Sequence, residues 1–168
     1  MPDVDRAALV LARFNAAQNH LVSKLRELPA AAAEDRPDLD GWSAAQIGWH
    51  VALANEWVAG VLTGATPIAE PAPPGFRETL HTRPLPEKIQ TFPRCDPPAV
   101  VGRDSALERL RASGQHMSKA IASLTAERGA SYTVTMAFGT LSLYELADFA
   151  AGYVTRQLGQ VDRAVTST

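Results

Sequence analysis

Four histidines and a single cysteine are the side chains in this sequence best suited to metal, nucleophilic or acid–base chemistry. His50 is the most informative of them. Its spacing to Ile47 and Ala54 puts all three on one helical face, so the imidazole points toward a core, where it can serve as a hydrogen-bonded cavity residue or as a metal ligand. His20 and His116 sit beside polar neighbours on helical stretches and His81 lies in a proline-rich region, positions expected to be solvated. Cys95 stands in Phe92-Pro93-Arg94-Cys95-Asp96, where Arg94 favours a thiolate and Asp96 opposes it; with no base nearby in sequence, it reads as an ordinary thiol. Gly41-Trp42-Ser43 is similar to the start of a nucleophile elbow, but no strand precedes it and Ala45 stands where glycine is needed, so Ser43 reads as a helix cap. The chain has no His-Glu-x-x-His sequence and no Glu-x-x-His on a helix of the di-iron kind, which leaves ferritin-like oxidation chemistry unsupported. Glu108, Arg109 and Arg111 read as a solvated helix face.

The elements that must hold these residues are helical. Val10, Phe14, Ala17, Leu21, Leu25 and Leu28 recur at steps of three and four and predict a first helix over about Asp5 to Leu28, ended by Pro29 and the run Ala30 to Pro37. Asp40-Gly41 predicts a turn. Ser43 with Gln46 forms a capping box, and Trp42 can staple onto Ile47, so a second helix starts near Ala44 and stops at Gly64. Its inward face carries Ile47, His50, Val51, Ala54, Val58 and Val61, flanked by Trp49 and Trp57.

Nine of the twelve prolines fall between Gly64 and Gly102, which predicts a long irregular crossover. A helix of about twenty residues is about 30 Å long, and extended chain covers about 3.3 Å per residue, so this segment can return along a whole bundle. A third helix is predicted from the capping box of Ser105 and Glu108, with Leu107, Leu110, Gly114, Met117, Ile121 and Leu124 inward, ending before Gly129. Ser131 to Gly139 alternates and reads as an extended segment without an obvious strand partner. Ser142 and Glu145, with Leu141 and Leu146 as staple, open a fourth helix that reaches about Val165 and carries Phe149, Tyr153, Gln157 and Gln160 near one face. The expected fold is all-α: a four-helix bundle in up-down-down-up order, forming one domain over residues 1–168.

Composition bounds the function. With 46% hydrophobic residues in 168, the chain can build one proper core. Sixteen basic against eighteen acidic side chains provide no field for a phosphate backbone or an anionic bilayer, so neither nucleic acid nor membrane is an expected partner. The apolar run Ala7 to Ala12 lies between Arg6 and Arg13 and is too short for a signal-peptide core or a membrane span. A single cysteine fits a reducing compartment, and a cytoplasmic location is expected.

Two stretches together resemble the DinB-like superfamily of four-helix bundles, which includes metal-dependent hydrolases and thiol-dependent transferases and isomerases. The first is Gly41-Trp42-Ser43-Ala44-Ala45-Gln46-Ile47-Gly48-Trp49-His50-Val51, similar to the family's Trp-Ser helix start followed by a histidine. The second is Phe138-Gly139-Thr140-Leu141-Ser142-Leu143-Tyr144-Glu145-Leu146, continuing into Arg156-Gln157-Leu158-Gly159-Gln160-Val161. It resembles the family's Phe-Gly, Ser-Leu-x-Glu and Arg-His-Leu-x-Gln signatures. The resemblance implies a metal site with one histidine from the second helix and two from a His-x-x-x-His on the fourth. His50 matches the first position, while Tyr153 and Gln157 align with the other two. A phenol ligates poorly before losing a proton with reference pKa about 10, and a carboxamide is a weaker ligand than imidazole for zinc or nickel. The expectation is therefore a degraded metal site with no tightly held cofactor, in a protein that binds a small molecule at His50, Tyr153 and Gln157 or acts through protein association. The alternative is a metal-dependent hydrolase or thiol-dependent S-transferase or isomerase holding zinc or nickel through His50, with Tyr153 and Gln157 assisting. A homodimer is expected from the same resemblance and from the apolar and aromatic side chains flanking the helical stripes.

Overall fold

The computed structural model describes residues 3–37, 41–82 and 95–166. These form six helices and a small sheet: α1 (Asp3–Glu27), α2 (Ala30–Glu34), α3 (Ala44–Thr63), β1 (Glu70–Pro71), a 3-10 turn (Leu80–Thr82), α4 (Arg103–Ala122), α5 (Ala126–Ser131), β2 (Tyr132–Met136), β3 (Gly139–Ser142) and α6 (Leu143–Thr166). The expected turn at Asp40 and the Arg94 beside Cys95 lie outside the described residues.

The four long helices pack through their apolar stripes. α3 lies along α4 and α1 along α6, while α1 also meets α4 and α3 meets α6. Phe14, Leu21 and Leu25 of α1, Val51, Val58 and Val61 of α3, Leu110, Met117 and Ile121 of α4, and Leu146 and Val154 of α6 are fully or almost fully buried. Gly48 permits one close approach, since a Cβ there would sit 2.9 Å from Leu25 Cδ2. That position also faces Ala106 and Leu110, and further along the same two helices Asn55 Nδ2 reaches Ser113 Oγ at 3.4 Å. On α1 and α6, Arg13 pairs with Asp148 and Lys24 with Asp162.

Local chemistry sets the helix ends. Ser43 Oγ accepts from the Gln46 amide at 3.1 Å, and the Ser43 amide donates to Gln46 Oε1 at 2.9 Å, closing the box that starts α3. Gly64 ends the helix with φ 89°, a left-handed conformation that favours glycine. Ser142 and Glu145 close the equivalent box on α6, with bonds of 3.1 and 3.0 Å.

The third predicted helix ends before Gly129, as expected, but it starts earlier than its sequence signal and stops short of Leu124. α4 starts at Arg103, two residues before Ser105, because the extended Gly102 is its N-cap and its carbonyl accepts from Ala106; the Ser105–Glu108 box does not form. α4 stops at Ala122, and Thr125 caps the separate short helix that contains Gly129. Pro29 likewise ends α1 but also begins α2, since proline suits the start of a helix. The extended segment after Ser131 has partners on both sides. β2 pairs antiparallel with β3, Met136 opposite Gly139, and with β1, Thr133 opposite Glu70, giving the order β1-β2-β3.

The described parts of the crossover are tied to the helices at both ends. Glu78 pairs with Arg6 and accepts from Ser142 Oγ, while the Leu80 amide donates to Glu145 Oε2 at 2.6 Å. At the far end, Gln46 Nε2 donates to the carbonyls of Pro98 and Ala99 at 3.0 and 3.1 Å. Among the described residues, no helix is long and apolar enough to cross a membrane.

Candidate functional site

Gln46 has two tasks. Its Oε1 completes the cap of α3, and its Nε2 holds the returning crossover, so the backbone at Cys95 lies over the second turn of α3. There His50 Nδ1 lies 2.6 Å from the Cys95 carbonyl oxygen. A carbonyl only accepts, so Nδ1 carries the hydrogen and donates it. In the neutral imidazole Nε2 then presents a lone pair, and Tyr153 Oη lies 2.5 Å from it, placed to donate. Burial pushes the His50 pKa below its usual value, opposed by the Cys95 carbonyl bond and the charge of Asp96. The pair is therefore a neutral imidazole held between a backbone acceptor and a phenol donor.

Aromatic rings fix this geometry. The Trp42 ring centroid lies 4.9 Å from that of His50, Phe149 stacks on Tyr153 at 6.1 Å, and Phe138 lies 4.9 Å from Phe149. His50 and Tyr153 are 8% and 7% exposed, which excludes bulk water as an easy substitute partner. Gln157, one turn beyond Tyr153, is half-buried, and its carboxamide takes part in none of the hydrogen bonds among the described residues. The fold thus joins His50 to Tyr153 and leaves Gln157 out of the network. Gln160 is exposed.

These donors do not fit a three-nitrogen metal centre. The lone pair that an ion needs, on Nε2, already accepts the Tyr153 hydroxyl proton, and the remaining positions offer a neutral phenol and a carboxamide. Among the described residues, no three His, Cys, Asp or Glu side chains gather within reach of one ion.

The other sequence candidates disperse. The Cys95 thiol is buried and its pKa is pushed up to about 11, first by burial and then by Asp96 and Glu56; the group of Cys95 that bonds His50 is its carbonyl. His20, His81 and His116 are exposed. Glu78 and His81 do form a Glu-x-x-His spacing, but it leads into a 3-10 turn, and Glu78 is committed to Arg6 and Ser142, which hold its carboxyl below the usual range. Arg109 is more than part of a solvated face: its guanidinium lies 4.6 Å over the Trp49 ring and pairs with Glu56 at 3.2 Å. Sequence reasoning missed the Cys95 carbonyl, since every residue carries one. The spacing of Gln46 from Ser43 marks it as a cap and carries no sign that it anchors the crossover.

Against known proteins, the family model of the DinB superfamily matches residues 13–161, from within α1 to within α6. No curated protein matches the chain.

Proposed function

Since the chain belongs to the DinB superfamily, we propose that it is a metal-independent member, binding a small molecule beside His50, Tyr153 and Gln157. The observation that carries this reading is the hydrogen bond from the Tyr153 hydroxyl to His50 Nε2, which satisfies the imidazole in place of an ion. The Gln157 carboxamide offers both a donor and an acceptor to a ligand. Hydrolysis or thiol transfer through zinc or nickel has less support, because two of the three family positions lack imidazole.

The same reading includes an up-down-down-up four-helix bundle. Contacts advancing in the same direction along α3 and α4, from Gly48–Ala106 to Asn55–Ser113, support it, as do those along α1 and α6, from Arg13–Asp148 to Lys24–Asp162. It also includes a single cytoplasmic domain that associates as a homodimer. A single species near 18.0 kDa in equilibrium sedimentation would count against the dimer.

The experiment for the binding role is a thermal-shift screen of polar metabolites on untagged protein, with metal content measured on the same preparation. The expected hit raises the melting temperature of wild type and loses its effect in Gln157→Leu. Stoichiometric zinc or nickel in the preparation overturns the proposal.

A further inference from the structure

A second polar site lies between α1 and α4, a different helix pair from the α3–α6 contact that joins His50 to Tyr153. The two helices leave a groove of about 570 Å³, within the ordinary range for small-molecule sites. Arg26, Arg111 and Lys119 line it together with the hydrogen-bonding groups of Asn19, Gln115 and Ser118, and no Asp or Glu does, in a chain that carries more acids than bases.

The three cations are exposed, and none takes part in an ion pair among the described residues, where Arg6, Arg13, Lys24, Arg103 and Arg109 do. Glu27, Glu108 and Glu127, the nearest acids along the chain to Arg26, Arg111 and Lys119, form no ion pair with them. Arg111 also borders an adjoining hollow lined by Asp104 and Glu108, whereas the groove itself presents cations alone and is complementary to an anion.

The groove has a built floor. A Cβ on Gly114 would sit 2.5 Å from Gln18 Nε2, so glycine lets the buried Gln18 cross to α4 and donate to the Leu110 carbonyl at 2.8 Å. Gln18 Oε1 in turn accepts from Asn55 Nδ2 at 3.2 Å, and Ser118 Oγ donates to Asn15 Oδ1 at 2.6 Å. Here polar cross-links hold α1 and α4 together, and they fix a hydrogen-bonding surface at the base of the groove.

Arg111 and Lys119 are eight residues apart on α4, about 12 Å along its axis; α1 runs the opposite way, with Gln18 at Leu110 and Asn15 at Ser118, so Arg26 lies toward the Arg111 end of the groove. We propose that this groove binds an elongated small molecule with an anionic group, carboxylate or phosphate, at each end. The site is independent of the reading given to His50.

The test is an amide NMR titration at low salt, about 0.05 M, where screening of exposed charges is modest. The probes are the eight-carbon dicarboxylate suberate and inorganic tripolyphosphate. The expected result is saturable binding of at least one probe, with shifts confined to α1 and α4. Arg26→Ala with Arg111→Ala should weaken it about tenfold or more, as loss of two charge-assisted contacts implies. The control pair Lys24→Ala with Arg103→Ala, cations outside the groove, should leave affinity within about twofold, the small effect of a distant surface charge. Absence of saturation with both probes, shifts scattered over the surface, or equal weakening in the control pair would overturn the proposal.

Discussion

Tyr153→Phe removes one oxygen and keeps the ring that stacks on Phe149, so it isolates the hydroxyl bonded to His50 Nε2. With His50 only 8% exposed, the lone pair is left as a buried acceptor without a donor. That omission costs about 1–3 kcal/mol, and a domain of this size loses about 2–4 °C of melting temperature per kcal/mol. The Tyr153 bond also favours the neutral imidazole, so its loss lets the His50 pKa rise, while burial, the leading cause of the lowered value, persists. The linkage sign follows. The unfolded imidazole, near its reference value of about 6.5, takes up a proton before the folded one does. The stabilisation from neutral His50 is therefore fully present above that pH and declines as pH falls toward the lower folded-state pKa. In Tyr153→Phe the window between the two values narrows, and stability depends less steeply on pH. Urea unfolding at pH 7, 6 and 5, with an NMR titration of the imidazole, measures both effects. A destabilisation below about 0.5 kcal/mol, the scale of an unremarkable surface change, with an unmoved His50 titration would refute the reasoning.

The Cys95 thiol, buried and with its pKa at about 11, should react slowly with iodoacetamide at pH 8 in folded protein and fully in denaturant; equal rates would show an accessible thiolate. Gly129→Ala would place a Cβ 2.5 Å from two ring atoms of the buried Tyr144, and urea unfolding should record an overpacking loss of about 1–3 kcal/mol. An unchanged midpoint would mean that α5 shifts without cost. Ser43→Ala should remove about 1 kcal/mol by losing the cap of α3, and wild-type stability in the same assay would contradict the capping account.

The sequence made the long helices legible where a side chain alone determines the outcome. Ser43 with Gln46 and Ser142 with Glu145 mark starts that the fold uses, and Gly64 marks a stop that glycine suits. Ser105 with Glu108 has the same pattern and fails, because the chain is already helical from Arg103 and the cap is the backbone of Gly102. The sheet was harder to read. β1 is only Glu70–Pro71 inside a proline-rich stretch, and β3 ends on the residue that caps α6, so neither displays an alternating run. At the site, spacing placed His50 inward, and the alignment to Tyr153 brought its partner. The second partner, a backbone carbonyl forty-five residues away, has no signature of its own. Gln157 shares the helical spacing with Tyr153 but not its burial, since the periodicity of one helix leaves open how closely a neighbour covers each turn.

The central claim is that a phenol and a carboxamide stand where imidazoles would hold an ion, and zinc titration calorimetry at neutral pH tests it directly. Wild type should show no tight stoichiometric binding. Tyr153→His with Gln157→His should bind one equivalent, more tightly than either single substitution, even with the ten- to hundred-fold weakening (about that range) that missing outer support brings. Tight binding of one equivalent by wild type, abolished in His50→Ala, would contradict the account.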